Sequence, residues 1–271
     1  MTDSIVSPQW LSAHLDDPQV AIIDCRFALE NPNAGYQQYL ESHLPGAFYL
    51  HLNTDLSSPV GKHGGRHPLP DPSILAEKLA AIGVQSSQTL VVAYDDSRFA
   101  FASRLWWLLR YFGHDHVAVL NGGFSHWQQQ EYAVTAEWPE VRPAEFEVRL
   151  RPEWVVDIEA VKERKDRSGV VLVDSRSGDR YRGEYEPIDP IAGHIPGAVN
   201  YCWQEATDDR GWVKSPEALQ QQWDEVQSAE EIIVYCGSGV TACANLLSLH
   251  RAGIDRAKLY AGSWSDWCSY Q

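Results

Sequence analysis

The chain has 271 residues, 44% of them hydrophobic, and sets 22 lysines and arginines against 37 aspartates and glutamates, a formal net charge of −15. That balance argues against a nucleic-acid or anionic-membrane surface, which needs a basic footprint, and it leaves any small anionic substrate to be drawn in by locally placed arginines. Five cysteines, widely spread and without a C-x-x-C pair, argue against a disulfide framework or a zinc site and predict free thiols in a reducing cytoplasm.

The opening MTDSIVSPQW has no basic or apolar signal-like region, so no secretory leader is expected. No apolar run approaches the ~18 residues of a membrane span. Ser7-Pro8 reads as N-cap and first helical residue before QWLSAHL. A strand VAIID (20–24) follows, and Asp71-Pro72 opens the helix SILAEKLAAIG. Strand LVVAY (90–94), helix FASRLWWLLRYFG (101–113) and strand VAVL (117–120) come next, the helix having the apolar spacing of a core element. Three prolines and mixed charge within 137–154 mark a join, placed near residue 145. Beyond it the pattern resumes with VVLVD (170–174), Ser215-Pro216 opening a helix, EIIVY (231–235), the helical TACANLLSLHRAG (241–253) and KLYA (258–261).

The chain is written twice. AIIDCRF (21–27) returns as VLVDSRS (171–177), ESHLPGAFYL (41–50) as IAGHIPGAVN (191–200), LVVAYDDS (90–97) as EIIVYCGS (231–238), and LNGGFSHW (120–127) as YAGSWSDW (260–267). Four matches in the same order, at offsets of roughly 140 to 151 residues, identify a tandem duplication. Strands alternating with helices predict an α/β protein of two tandem domains, 1–144 and 145–271, each a parallel sheet flanked by helices on both faces. Ligands in such sheets lie beyond the carboxyl ends of the strands. Cys236 sits there, where EIIVY meets the loop CGSGVT.

A thiol becomes a nucleophile as its thiolate. A neutral loop favours that form by aiming successive backbone N–H groups at the sulfur, with a helix N-terminus behind them. Gly237 and Gly239 permit the necessary turn, Val240 closes it, and Ser238 and Thr241 add hydroxyls. A buried strand-end cysteine can also be plain packing. The first copy argues otherwise, because it carries Asp95 at the matching position, and a carboxylate is a poor packing substitute for a thiol. The first copy is therefore expected to be silent and the second active.

These residues resemble the tandem-domain rhodanese family of sulfurtransferases. The resemblance spans nearly the whole chain: the H-[LI]-P-G-A turns at 43–47 and 194–198, the D-x-R after each first strand, and the terminal GG/GS…W motif of each copy. CGSGVTA is similar to the loop of the 3-mercaptopyruvate branch, whereas thiosulfate-specific members carry basic residues after the cysteine. The resemblance implies two rhodanese-like domains, no cofactor, and ping-pong transfer through a Cys236 persulfide. The sulfur would pass from 3-mercaptopyruvate to cyanide, a small thiol or a thioredoxin-like acceptor, with release of pyruvate. Arg180 matches an arginine that receives the donor carboxylate, and Arg182 is close enough in sequence to share the task. Arg176 recurs as Arg26 in the first copy, which predicts a structural role. Ser238 and His67 match two members of a proton-moving assembly, whose aspartate position falls on Asn53, with Asp55 nearby. A second substrate arginine that the branch usually carries is absent, since EPIDP has Ile188 and Asp189 there. The neighbours of His67, GKHGGR, are expected to form a mobile rim.

Two other readings stay open. A thiosulfate-preferring rhodanese would need cations near the loop, and a persulfide carrier would hand sulfur from protein to protein. Phosphoryl chemistry on a C-x5-R loop is disfavoured, because the sixth residue after Cys236 is Ala242 and no guanidinium clamp is present in the loop.

Overall fold

The computed structural model describes residues 3–271. It divides into two units: one holds the residues up to Ser58, Pro70–Leu150 and Asp209–Trp212, the other Pro59–Leu69, Arg151–Asp208 and Val213–Gln271. The main division falls between Leu150 and Arg151, later than the expected 144/145. Backbone hydrogen bonds explain the shift, because residues 144–149 stay fastened to the first unit. Ala144 N donates to Ala80 O, Ser86 N to Glu145 O, and Arg149 N to Phe112 O.

In the first unit β1 (Ile5–Val6), β2 (Val20–Asp24), β3 (Phe48–Tyr49), β4 (Leu90–Tyr94) and β5 (Val117–Leu120) form a sheet in the order β1-β5-β4-β2-β3. In the second, β6 (Val155–Val156), β7 (Val170–Asp174), β8 (Val199–Asn200), β9 (Glu231–Tyr235) and β10 (Ala257–Tyr260) repeat it as β6-β10-β9-β7-β8. Every strand pairing is parallel. Successive residues Val91–Tyr94 of β4 and Ile232–Tyr235 of β9 are all buried. Since neighbouring side chains on a strand point to opposite faces, both faces of each central strand are covered.

The helices begin where local chemistry directs. Ser7, Asp71 and Ser215 each precede a proline and accept a hydrogen bond from the first turn, at Trp10 N, at Ser73 and Ile74 N, and at Ala218 N. The helix Ala102–Tyr111 is buried continuously from Ala102 to Leu109, as a core element should be. Among the described residues, no helix is long and apolar enough to cross a membrane.

Each copy anchors its second strand with the D-x-R pair. Arg26 forks onto Asp24 and donates to Ser42 O, and Arg176 forks onto Asp174 and donates to Gly193 O. All four side chains are at most 4% exposed, and each arginine also lies over an aromatic ring, Phe124 or Trp264. Buried charges of this kind must be paired, and these are. The H-[LI]-P-G-A turns close against the ends of the central strands, where Leu44 N donates to Tyr94 Oη and Ile195 N to Tyr235 Oη. Tyr235 immediately precedes Cys236, so this framework sets the floor beneath the loop.

Candidate active site

Cys236 directly follows β9 and leads through a short loop into the helix Ala242–Arg251; it is 1% exposed. Its backbone is pinned by the segment after β10. Cys236 N donates to Ser263 Oγ (3.1 Å), Trp264 N to Cys236 O (3.0 Å), and Ser265 N to Gly237 O (2.9 Å). Ser263 adopts φ 57°, a left-handed conformation uncommon outside glycine, and its hydroxyl also donates to Tyr260 O. Gly239 has φ +76°, and a Cβ there would lie 2.3 Å from Ala261 O, so the turn admits only glycine. Val240 is buried beside it, and Thr241 opens the helix without a side-chain cap bond.

The first copy shows what such a loop can hold. Asp95 directly follows β4, is 2% exposed, and accepts four backbone hydrogen bonds from the loop that follows it. Oδ1 receives Ser97 N (2.8 Å) and Phe99 N (3.0 Å); Oδ2 receives Phe101 N (2.8 Å) and Ala102 N (2.9 Å). Burial pushes the Asp95 carboxyl up, against the pull of those four bonds. The loop of the first copy thus wraps its amides round an anionic group carried by its own strand. The second loop is one residue shorter between strand end and helix start, Cys236 to Ala242 against Asp95 to Ala102.

His67 arrives on the segment Pro59–Leu69, which belongs to the second unit although it precedes the first unit's helix Pro72–Ala81. His67 Nδ1 and Ser238 Oγ share a hydrogen bond of 2.8 Å, and both residues are buried. The segment is not a loose rim. Gly64 N donates to Asp266 Oδ1 (2.6 Å), Arg66 N to Ser265 Oγ (3.1 Å), and His63 bonds Ser269 Oγ and stacks on Tyr270. Gly65, at φ +81°, passes so close to the chain that a Cβ would lie 2.4 Å from Gly262 O. Flexible composition suggested mobility, but side chains of the last helix, Ser263–Cys268, and of Ser269 beyond it hold the segment in place.

The arginines separate by position. A Cβ on Gly237 would lie 3.0 Å from Arg66 Nη2 and 3.6 Å from Arg180 Nη2, so two guanidiniums flank the residue after the cysteine. Arg180 is held by both oxygens of Glu186 and by Asp189 Oδ2 (3.1 Å), and its side chain is 16% exposed. Arg66 pairs with the other oxygen of Asp189 and is 31% exposed. Burial pushes the Glu186 carboxyl up, but bonds from Arg180 and from the Asp189 and Ile188 amides bring it below its ordinary value. Burial likewise raises the Asp189 carboxyl, opposed by the Arg66 charge. Arg182 stands apart, more than half exposed and forked onto the equally exposed Glu184.

Of the predicted site residues, the structure brings together Cys236, Gly237, Ser238, Gly239, Val240, His67 and Arg180. Asp55, in the first unit, accepts from His51 N and pairs with Lys78. Cys243, buried on the helix, donates its thiol to Gly239 O (3.4 Å). Arg66 and Ser263 were missed from sequence. Arg66 could have been found as the neighbour of His67, and Ser263 from the repeated GG/GS…W motif, where it replaces Gly123 of the first copy.

A buried cysteine directly after a central parallel strand, with a buried Ser238–His67 pair beside it and an aspartate at the matching position of the first copy, is the arrangement the two units carry. The rhodanese-like domain family matches residues 7–130 and 157–270. The chain is 44% identical over 97% of its length, and 94% of the relative's, to a probable 3-mercaptopyruvate sulfurtransferase of Pseudomonas aeruginosa. It is 35% identical over 98% of its length, and 95% of the relative's, to the 3-mercaptopyruvate sulfurtransferase of Escherichia coli. The solved 3-mercaptopyruvate sulfurtransferase from Leishmania major superimposes with a TM-score of 0.83 at 28% identity, covering 99% of this chain and 75% of that one. The chain belongs to the rhodanese-like family, as a tandem of two such domains. It is a sulfurtransferase, most similar to the 3-mercaptopyruvate branch.

Proposed function

We propose that the protein transfers sulfur from 3-mercaptopyruvate, through a Cys236 persulfide, to cyanide, a small thiol or a thioredoxin-like acceptor. The observation that carries this reading is the pair of matched loops: one already embraces a carboxylate with four N–H groups, and the other places a cysteine at the same strand end. Names borne by the relatives support the donor. In the first half-reaction the Cys236 thiolate attacks the donor's sulfur. An S–S bond forms, the C3–S bond breaks, and its electron pair leaves on carbon as the pyruvate enolate. Ser238, backed by His67, delivers a proton to C3, and pyruvate departs. The amides from Gly237 to Thr241 hold the persulfide. In the second half-reaction the acceptor attacks the outer sulfur, the S–S bond breaks, and the electron pair returns to Cys236 as thiolate. Arg180 draws in the donor's carboxylate, while Arg182, forked onto Glu184, stays outside the site.

Turnover with cyanide as acceptor, measured side by side for 3-mercaptopyruvate and thiosulfate, tests the donor. The expected result is a kcat/KM at least about tenfold higher for 3-mercaptopyruvate, with Arg180→Ala raising KM for that donor more than for thiosulfate. A thiosulfate advantage would instead make the protein a thiosulfate-preferring rhodanese. Failure of every small donor would favour a protein-to-protein persulfide carrier.

A further inference from the structure

We propose that Arg66, held by Asp189, is a second arginine that binds the carboxylate of the incoming sulfur donor beside Arg180, and so sets donor specificity. This rests on the Cys236 reading above and adds to it a residue from outside the 174–189 segment. Arg180 has little donor capacity to spare: its Nε–Nη2 edge is forked onto Glu186, and Nη2 also reaches Asp189. Arg66 uses Nη1 on Asp189, while its Nη2 is the atom nearest the position a Gly237 side chain would take. It is also the more exposed of the two guanidiniums, 31% against 16%.

Asp189 shows that the place fits a carboxylate. Its two oxygens are divided between Arg66 and Arg180, and its side chain is only 1% exposed. The cluster of Arg66, Arg180, Glu186 and Asp189 sums to zero formal charge, so it offers directed N–H groups to a monoanion without a net positive field. That suits an α-keto carboxylate better than a dianion. The absence of a side chain at Gly237 lets both guanidiniums approach the residue after the cysteine, and the Arg66 backbone is fixed by Ser265 rather than by its own charge. Removing the side chain therefore leaves the segment anchored.

Two alkylating probes of equal size separate this role from a structural one. Iodoacetate carries a carboxylate and iodoacetamide does not, and mass analysis of the Cys236 peptide reads each rate in the whole protein. Arg66→Ala is expected to slow iodoacetate about tenfold while iodoacetamide changes by less than twofold. Arg66→Lys should recover part of the loss. The same Arg66→Ala protein should show a KM for 3-mercaptopyruvate raised about 10- to 100-fold, a larger effect than on kcat. Equal slowing of both probes would assign Arg66 a structural role, and unchanged rates with both would remove it from the site; either overturns the proposal. If wild-type protein turns over no 3-mercaptopyruvate, the donor assignment fails, yet the ratio of the two alkylation rates still decides whether Arg66 receives a carboxylate.

Discussion

Replacing Cys236 with serine is expected to lower sulfur transfer by at least about 10⁴-fold with every donor. The change removes one atom's chemistry and little else. Serine keeps the side chain short, leaves the Cys236 N to Ser263 Oγ bond in place, and preserves the 3.0 Å bond from Trp264 N to the residue-236 carbonyl. An alkoxide is far harder to form than a thiolate, and a serine oxygen cannot carry a sulfane sulfur. Thermal stability should therefore stay near that of the wild type while the activity vanishes. Incubation with donor, followed by intact-protein mass measurement, should show one added sulfur on the wild type and none on the variant. Residual transfer above a hundredth of the wild-type rate would place the sulfur on another thiol. Cys243, whose thiol faces Gly239 O, and the partly exposed Cys202 would then be the residues to change next.

Much of this architecture was legible because it is local and periodic. VAIID, LVVAY, VVLVD and EIIVY appear as strands with the bounds read from sequence, since each is a short apolar run between turn signals. KLYA is displaced by one residue, to Ala257–Tyr260, because Ala257 pairs with Ile232 of β9. The two-residue edge strands β1, β3, β6 and β8 left no periodic trace. The cysteine loop was legible through its duplicate, which turned a lone cysteine into a comparison with Asp95. What could not be read was the long-range seating of residues 59–69. Arg66 meets Ser265 across 199 residues and Asp189 across 123, and no local pattern records either contact. Glycine and charge in GKHGGR suggested a mobile rim, whereas Gly65 is there because a Cβ at that position would lie 2.4 Å from Gly262 O. Arg182 shows the opposite error: proximity in sequence placed it near Arg180, but its fork onto Glu184 turns it elsewhere.

The second large effect lies in the copy without a cysteine. Asp95→Ala should destabilise the protein by about 4 kcal/mol, the low end of the ~1–3 kcal/mol expected for each of four buried N–H groups left without an acceptor. Water reaching the cavity and local relaxation keep the value from the simple sum. Asp95→Asn is the sharper variant, because it conserves shape and volume. An asparagine amide can accept with its oxygen, but its NH2 would face two N–H donors, at either Ser97 and Phe99 or Phe101 and Ala102. The asparagine variant is thus expected to be nearly as unstable as the alanine one, measured by the midpoint of urea unfolding. Wild-type stability for Asp95→Asn would mean that the loop tolerates a neutral polar group, and the anion-cradle account of both copies would fail. Instability would carry the opposite lesson into the second domain. A backbone that penalises the loss of a negative charge at the end of β4 is the same kind of backbone that the proposed function places behind Cys236, directly after β9, to hold the transferred sulfur.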